Sequence, residues 1–335
     1  MKRQQKIALG VFASIGMVLL ILDSKTALYG ATAGIEICLK TVIPALFPFF
    51  LLTAVITKTL AFPLSKLLRP LGRLCKIPGG SESILMLGLL GGYPIGAQAV
   101  HSVYQSGILR KKAAHRMLTF CNNPGPAFIF GMVGCMFDSL LVPWIIWVII
   151  ILSAIVTSWL QPVYEDECVN RYINEKSDVL TVSIKSMAKV CSWVIIFRVM
   201  ISILQRWVFW MLPSEPVIII TGLLELTNGC TSLLESNNEV FRFCSITALM
   251  SFGGVCVTMQ TAGVSGCLFD RRYCIAKLFQ LFLSVLLSYI AANLVFAQDF
   301  TKTGLAIASA SLCLAVFTGY ILYKNSTGNH PADDI

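Results

Sequence analysis

Charged residues are scarce in this sequence. Only 13% of its 335 residues are Asp, Glu, Lys or Arg, whereas 56% are hydrophobic, and the mean hydropathy is +0.77. A soluble domain carries about a quarter charged residues, so the composition predicts a polytopic membrane protein. The net charge of +9 does not indicate a nucleic-acid partner, because the basic residues form short clusters between apolar runs, as topology signals do.

The sequence also lacks the motifs of common catalytic and cofactor sites. It has no phosphate-binding glycine loop ending in Lys-Ser or Lys-Thr, no Gly-x-Ser-x-Gly and no His-Glu-x-x-His. Its twelve cysteines include no Cys-x-x-Cys pair, and the three histidines form no ligand cluster with them, which argues against a metal site. We therefore expect no enzyme activity, no cofactor, no metal and no ATP-driven pumping.

The apolar runs predict an all-α polytopic membrane protein with about eight transmembrane helices and two re-entrant helical hairpins in inverted repeats. The basic N-terminus and the basic loops place both chain ends in the cytoplasm by the positive-inside rule. The loop 264–277, which carries Arg271, Arg272 and Lys277, is predicted to be cytoplasmic as well. The first apolar run has no small-residue cleavage signal before Asp23, which favours an uncleaved helix over a signal peptide.

These boundaries divide the chain into five parts within the bacterial cytoplasmic membrane. The predicted spans run over about 7–22, 44–60, 113–137, 141–160, 184–210, 243–263, 274–296 and 304–323. The parts are an N-terminal transmembrane helix (1–25), a first inverted repeat (26–160) with a hairpin at 81–106, a cytoplasmic linker (161–180), a second inverted repeat (181–297) with a hairpin at 217–240, and a C-terminal helix with its tail (298–335).

Four breaks interrupt the apolar sequence at membrane depth. They lie at 91–94, 122–126, 225–228 and 253–254, where glycine, proline or polar residues replace helix formers. Backbone that leaves the helix in a bilayer needs partners from protein or from a polar cavity. The two halves are weakly symmetric, since Gly88-Leu89-Leu90 recurs as Gly222-Leu223-Leu224 and the second break follows the first by about 30 residues in each half. We therefore expect the breaks to face one another across a site.

Several residues near the breaks are candidates for that site. Pro126 suits the first position of a half-helix, whose positive end favours an anion. The carboxylate of Glu225 can bind a substrate, carry a proton, help to hold Na⁺ or cap the hairpin backbone. Arg198 can attract an anion or pair with Glu225. The predicted substrate-binding residues are Gly92, Tyr93, Pro94, Gln98, Asn122, Asn123, Glu225, Asn228, Gly253, Gly254 and Gln260, with Glu225 and Arg198 as candidates for ion coupling or charge pairing.

Four motifs carry a resemblance to a known family: GGYPIGA at 91–97, LTFCNNPGP at 118–126, GLLELTNG at 222–229 and SFGGVCVTMQ at 251–260. With these motifs the chain resembles the nucleoside-recognition, or Gate, domain family of membrane proteins, and within it the YlbJ-type sporulation integral membrane proteins. The resemblance implies an architecture similar to concentrative nucleoside transporters. For the sporulation branch it implies movement of dipicolinic acid from the mother cell toward the forespore, and hence a place in the outer forespore membrane.

Three functions are left open. The first is a secondary transporter of a small organic solute, with an organic anion such as dipicolinate preferred. The second is a nucleoside transporter, and the third is a non-transporting membrane scaffold or receptor needed for spore formation. The expected partners are the solute, the lipid bilayer and a coupling H⁺ or Na⁺. Self-association into a homo-oligomer is left open as well.

Overall fold

The structure is a computed structural model of the chain. It describes residues 3–44, 46–48, 50–52, 55, 67–79, 81–105, 107, 109–163, 178–234, 236–296 and 301–327. Throughout this part of the chain the elements are helical. In chain order the described α-helices are α1 (Arg3–Leu22), α2 (Ser24–Ile37), α3 (Arg69–Leu74), α4 (Glu82–Gly91), α5 (Ile95–Gln105), α6 (Lys111–Cys121), α7 (Pro126–Gly131), α8 (Leu141–Trp159), α9 (Val179–Trp207), α10 (Ser214–Leu224), α11 (Leu226–Leu233), α12 (Glu239–Phe252), α13 (Gly254–Ser265), α14 (Arg271–Val295) and α15 (Lys302–Thr327).

Five helical segments in the described residues are long and apolar enough to cross a membrane. They are α8, α9, the α12–α13 segment Glu239–Leu268, α14 and Lys302–Asn325 of α15. A sixth span is reached if α1 and α2, which meet at 103°, are counted as one bent span. The chain is therefore a multi-pass helical membrane protein. Five of the predicted spans, from 141–160 to 304–323, coincide with these helices.

The predicted total of eight spans stays a prediction. Residues 45, 49, 53–54 and 56–60 of the predicted span 44–60 lie outside the described residues, as do 164–177 of the predicted linker. The predicted span 113–137 is divided, since α6 ends at Cys121 and the short α7 begins at Pro126. Pro126 occupies the first turn of α7, as expected, because a proline there gives up an N–H that has no partner in the helix.

The elbow between α1 and α2 is tied to the far end of α9. Asp23 caps α2 by accepting a hydrogen bond from the Thr26 backbone N–H at 3.4 Å. The same carboxylate accepts from Trp207 Nε1 at 3.0 Å and lies 3.1 Å from Arg206 Nε. After the elbow, α2 packs along α9. The two helices approach closely, since a β-carbon at Gly34 would lie only 3.0 Å from the Cα of Ile195.

Each segment predicted to be a re-entrant hairpin contains a packed helix pair, and its entry and exit on one side of the membrane stay a prediction. In the first half α4 packs on α5, and in the second α10 packs on α11. The glycine of each repeated Gly-Leu-Leu motif lies inside its pair. A β-carbon on Gly96 would come within 2.9 Å of the Cα of Gly88, and one on Gly222 would come within 3.3 Å of the Cα of Gly229. Glycine is needed at these positions because the two helices of each pair approach backbone to backbone.

Two buried apolar clusters support these elements. The larger one joins both halves, since Val42, Ile129, Ile146, Val194 and Met250 are all buried in it. The smaller one packs α4, α5 and α6 against the end of α8 and against the start of α14. The larger cluster therefore surrounds the region where the hairpin tips and the broken spans meet.

Candidate functional site

In the first half the break of the hairpin lies directly against the break of the span. Gly92 has a positive φ of 73°, and a β-carbon there would lie 2.6 Å from the backbone nitrogen of Gly125. A β-carbon on Gly125 would lie 2.9 Å from the carbonyl oxygen of Leu90. Gly88 and Gly96 both face the carbonyl oxygen of Cys121 so closely that a side chain on either would collide with it. Backbone thus packs on backbone between α4–α5 and the end of α6.

The second half repeats this contact with different residues. Gly253, in the left-handed region at φ 85°, ends α12, and Gly254 begins α13. A β-carbon on Gly254 would lie 3.2 Å from the carbonyl oxygen of Leu223 and 3.3 Å from that of Gly222. The start of α13 therefore abuts the last turn of α10. In each half, the second break packs against residues at or beside the first break.

A cavity of about 40 Å³ lies between these two junctions. This space holds a few water molecules, at about 10–15 Å³ each, so a small organic solute fits only if the cavity widens. Its polar side chains are Tyr93 at the tip of the first hairpin, Glu225 and Thr227 at the tip of the second, and Gln260 on α13. The remaining lining is glycine or apolar, and comprises Val42, Leu46, Phe50, Gly91, Gly92, Gly125, Ala127, Phe128, Val190, Val194, Leu226 and Val257.

Glu225 is the charged side chain of this cavity and caps α11. Only 3% of the residue is exposed. Its carboxylate accepts hydrogen bonds from the backbone N–H groups of Thr227 at 3.0 Å and Asn228 at 2.7 Å, and from Asn228 Nδ2 at 2.7 Å. These bonds satisfy the N–H groups that a helix start leaves without partners. The positive end of α11 is therefore already occupied by a carboxylate of the chain itself.

Arg198 reaches Glu225 through an intermediate amide. Its Nη1 donates to Asn228 Oδ1 at 3.1 Å, and Asn228 Nδ2 donates to Glu225. The direct ion pair that the sequence suggested is not among the contacts of the described residues. The Arg198 Nε is buried and has no hydrogen-bond partner in this part of the chain. Asn228 therefore orients both charged groups without facing the cavity itself.

Asn122 lies outside the cavity lining and joins the first break to the second half. Its Nδ2 donates to Thr261 Oγ1 and to the Tyr273 hydroxyl, both at 2.9 Å. Its Oδ1 accepts from the backbone N–H of Ala97 at 3.3 Å. Since Asn122 is fully buried, all of these bonds form away from water. The side chain therefore anchors α5, α13 and α14 to one point of the break.

Asn123 binds Lys277, which was predicted from the sequence to lie in a cytoplasmic loop. Lys277 lies inside α14, with 1% exposure, and its Nζ donates to Asn123 Oδ1 at 3.1 Å and to Gln280 Oε1 at 2.8 Å. Its neighbours Arg271 and Arg272 suggested a basic cytoplasmic turn. A signal in the sequence that could have indicated the buried role is the Lys-x-x-Gln spacing of Lys277 and Gln280, which places both side chains on one helix face.

The remaining predicted site residues divide between the cavity and its surroundings. The Tyr93 hydroxyl donates to the carbonyl oxygen of Met250 at 3.3 Å, so the first hairpin touches the second broken span. Gln260 Nε2 donates to Cys256 Sγ at 3.3 Å. Pro94 is buried in the hairpin turn, whereas Gln98 is exposed on α5. Gly92, Tyr93, Glu225 and Gln260 thus line the cavity, and the other predicted residues position them or lie elsewhere.

The fold defines a class: a multi-pass helical membrane protein, here with a small cavity between two helix pairs and two helix breaks. Over 105 residues, 30% of this chain, the sequence is 30% identical to the sporulation integral membrane protein YlbJ of Bacillus subtilis (strain 168). The match covers 25% of that protein, so the chain matches only about a quarter of its relative's length. No family model and no solved structure matches the chain. The chain is therefore similar to a sporulation membrane protein, and a Gate domain stays a prediction.

Proposed function

We propose that this protein is a secondary transporter of a small organic solute and that the cavity between the hairpin tips widens to hold the solute. The observation that supports the proposal most is the cavity itself, which takes backbone breaks and polar side chains from both halves. Irregular backbone at membrane depth is tolerated where it lines such a cavity. Transporters also bind their substrates between discontinuous helices of paired repeats. No catalytic step, cofactor or metal forms part of the proposal.

The lining favours an uncharged solute that combines an apolar ring with hydrogen-bonding groups, as a nucleoside does. The apolar walls offer Phe50 and Phe128 for ring contacts, and Tyr93 and Gln260 offer polar groups. Among the described lining residues Glu225 carries the charge, and neither Lys nor Arg contributes. A dianion would meet that buried carboxylate without a compensating cation, which is costly in a site of low dielectric constant.

An organic anion such as dipicolinate is the second candidate. The observation in its favour is the similarity to a protein whose name refers to sporulation, together with Arg198, which lies one hydrogen-bonded residue away from Glu225. With this substrate the outer forespore membrane would be the expected location. A scaffold that binds a solute and never moves it is the third reading.

Uptake into proteoliposomes tests these readings. Radiolabelled uridine and dipicolinate are supplied in parallel, each with and without imposed Na⁺ and proton gradients, to the wild type, Glu225→Gln and Glu215→Gln. Glu215 is a matched control because it is an exposed glutamate on the same hairpin. We expect uridine uptake in the wild type and in Glu215→Gln, and a loss of at least about tenfold in Glu225→Gln, because one polar contact in a desolvated site is worth about 1–3 kcal/mol.

The alternatives give different results in the same assay. Uptake of dipicolinate without uridine would overturn the uncharged-solute preference and support the anion reading. Uptake of neither compound by vesicles that contain correctly inserted protein would count against transport of both and support a scaffold. Equal uridine uptake by wild type and Glu225→Gln would remove Glu225 from the site.

A further inference from the structure

The environment of Lys277 is unusual for a lysine inside a membrane span. The side chain is fully surrounded by protein near the end of the second turn of α14. Its hydrogen-bond partners in the described residues are two neutral amide oxygens, those of Asn123 and Gln280. The Tyr273 ring lies one turn earlier, with its centroid 6.0 Å from Nζ. Burying an amine without a carboxylate is costly, and an ionisable residue facing the protein interior in a membrane is a functional candidate.

Both amide oxygens are held toward Lys277 by the backbone of α6. Asn123 Nδ2 donates to the Phe120 carbonyl oxygen at 2.6 Å, and Gln280 Nε2 donates to the Thr119 carbonyl oxygen at 3.1 Å. A carbonyl oxygen only accepts hydrogen bonds, so each amide must turn its nitrogen to the helix and its oxygen to Lys277. The orientation of the two oxygens is therefore fixed independently of the lysine.

These two oxygens form a cradle for a positive charge at the end of a broken helix. Thr119 and Phe120 belong to the last turn of α6, where the helix dipole places partial negative charge. In transporters, half-helix C-terminal ends and unwound carbonyl groups are the places that coordinate Na⁺ or a proton. At this break the amine of a lysine side chain lies where a free cation would otherwise be expected.

We propose that the first break is a monovalent-cation site whose cation is the ammonium group of Lys277. The cradle of Asn123, Gln280 and the end of α6 is then complete without an alkali metal ion. Removal of the ammonium group leaves two oriented oxygens and a helix end that accept a small exogenous cation. This inference does not depend on which solute the cavity binds, or on transport.

Thermal unfolding of the purified full-length protein in detergent tests the inference. Lys277→Ala, the wild type and the control Lys185→Met are compared in chloride salts of N-methylglucamine, sodium, ammonium and methylammonium at equal concentration. Lys185 suits the control because it is an exposed lysine on α9. We expect Lys277→Ala to unfold several degrees below the wild type in N-methylglucamine. Ammonium, methylammonium or sodium should raise its Tm by about 2 °C or more with a saturable dependence, and should leave the other two proteins unchanged.

A relocated charge provides a second test if Lys277→Ala does not fold. Lys277→Gln is compared with the double variant Lys277→Gln/Gln280→Lys, which keeps one amide and one ammonium group on the same face of α14. We expect the double variant to recover at least half of the Tm lost in the single variant. Three results would overturn the proposal. In the first experiment these are a Tm of Lys277→Ala equal to that of the wild type, or a response of Lys277→Ala to cations equal to that of the wild type. In the second it is a Tm of the double variant no higher than that of Lys277→Gln.

Discussion

The two broken helices have the same arrangement and different chemistry. The break between α6 and α7 spans four residues and carries two buried amides, Asn122 and Asn123, that bond to the second half. The break between α12 and α13 is a turn at Gly253 and Gly254 that packs backbone against backbone. Among the hairpins the order is the opposite, because the carboxylate that lines the cavity, that of Glu225, lies in the second hairpin. Side-chain chemistry is therefore concentrated in one broken span and in the opposite hairpin.

The largest expected effect comes from the glycine pair of the repeated motif. Gly88→Ala places a β-carbon against the Cys121 carbonyl oxygen, which is backbone and cannot turn away. Gly222→Ala places one 2.4 Å from the end of the Leu249 side chain, which can shift, and its approach to backbone, 3.3 Å from the Cα of Gly229, is much less close. We expect Gly88→Ala to cost about 3 kcal/mol or more and Gly222→Ala about 1 kcal/mol.

Size-exclusion chromatography and thermal unfolding of the two glycine variants measure this difference. Gly263→Ala is the control, because a β-carbon there meets no atom within 4 Å. If Gly88→Ala has the same unfolding free energy as Gly263→Ala, the tight backbone contact inferred for the first half is wrong.

A smaller effect is expected at the amide that anchors the first break. Asn122→Ala removes two donated bonds and one accepted bond in a fully buried place, which should cost about 2–3 kcal/mol. Tyr273→Phe removes the partner hydroxyl, so the double variant should show a coupling of about 0.5–1.5 kcal/mol with Asn122→Ala. Strictly additive losses in unfolding free energy would show that the two side chains do not stabilise each other.

The smallest effect is expected at the second break. Gly253 has φ 85°, a conformation that costs a residue with a side chain about 1–2 kcal/mol. Gly253→Ala should therefore lower the unfolding free energy by about 1 kcal/mol, and Gly253→Asn by less, because asparagine tolerates this region. Thermal unfolding of both variants measures the order. If asparagine were the more destabilising residue, the conformational explanation would be wrong and the 3.1 Å approach to the Val257 side chain would take its place.

Local chemistry made much of the architecture predictable from the sequence. Glycine and proline mark helix ends through their own backbone preferences, so the breaks at Gly92, Pro126 and Gly253 lie where the sequence suggested. Glu225 precedes a polar pair at a hairpin tip, and it lines the cavity. The inverted orientation of the repeats, the side of each chain end and the solute depend on the membrane and on partners, and they stay predictions.

The contacts between distant segments were beyond the sequence reasoning. Lys277 follows two arginines and therefore looked like a loop residue, but the packing of α14 against α6 buries it. The intermediate position of Asn228 between Arg198 and Glu225 depends on how α9 approaches the hairpin. Hydrophobic pattern and charge counts carry no information about such pairings, because these are set by tertiary packing.

The bonds of the first break also impose an order on biosynthesis. Asn122 and Tyr273 are 151 residues apart, and Asn123 and Lys277 are 154 apart. At about 5–20 residues per second, roughly 8–30 s pass before the ribosome has made the partners of the two amides. A bilayer offers these groups no substitute in the meantime. The first break therefore reaches its final bonding only after α14 is made, so its bonds to the second half form late in synthesis.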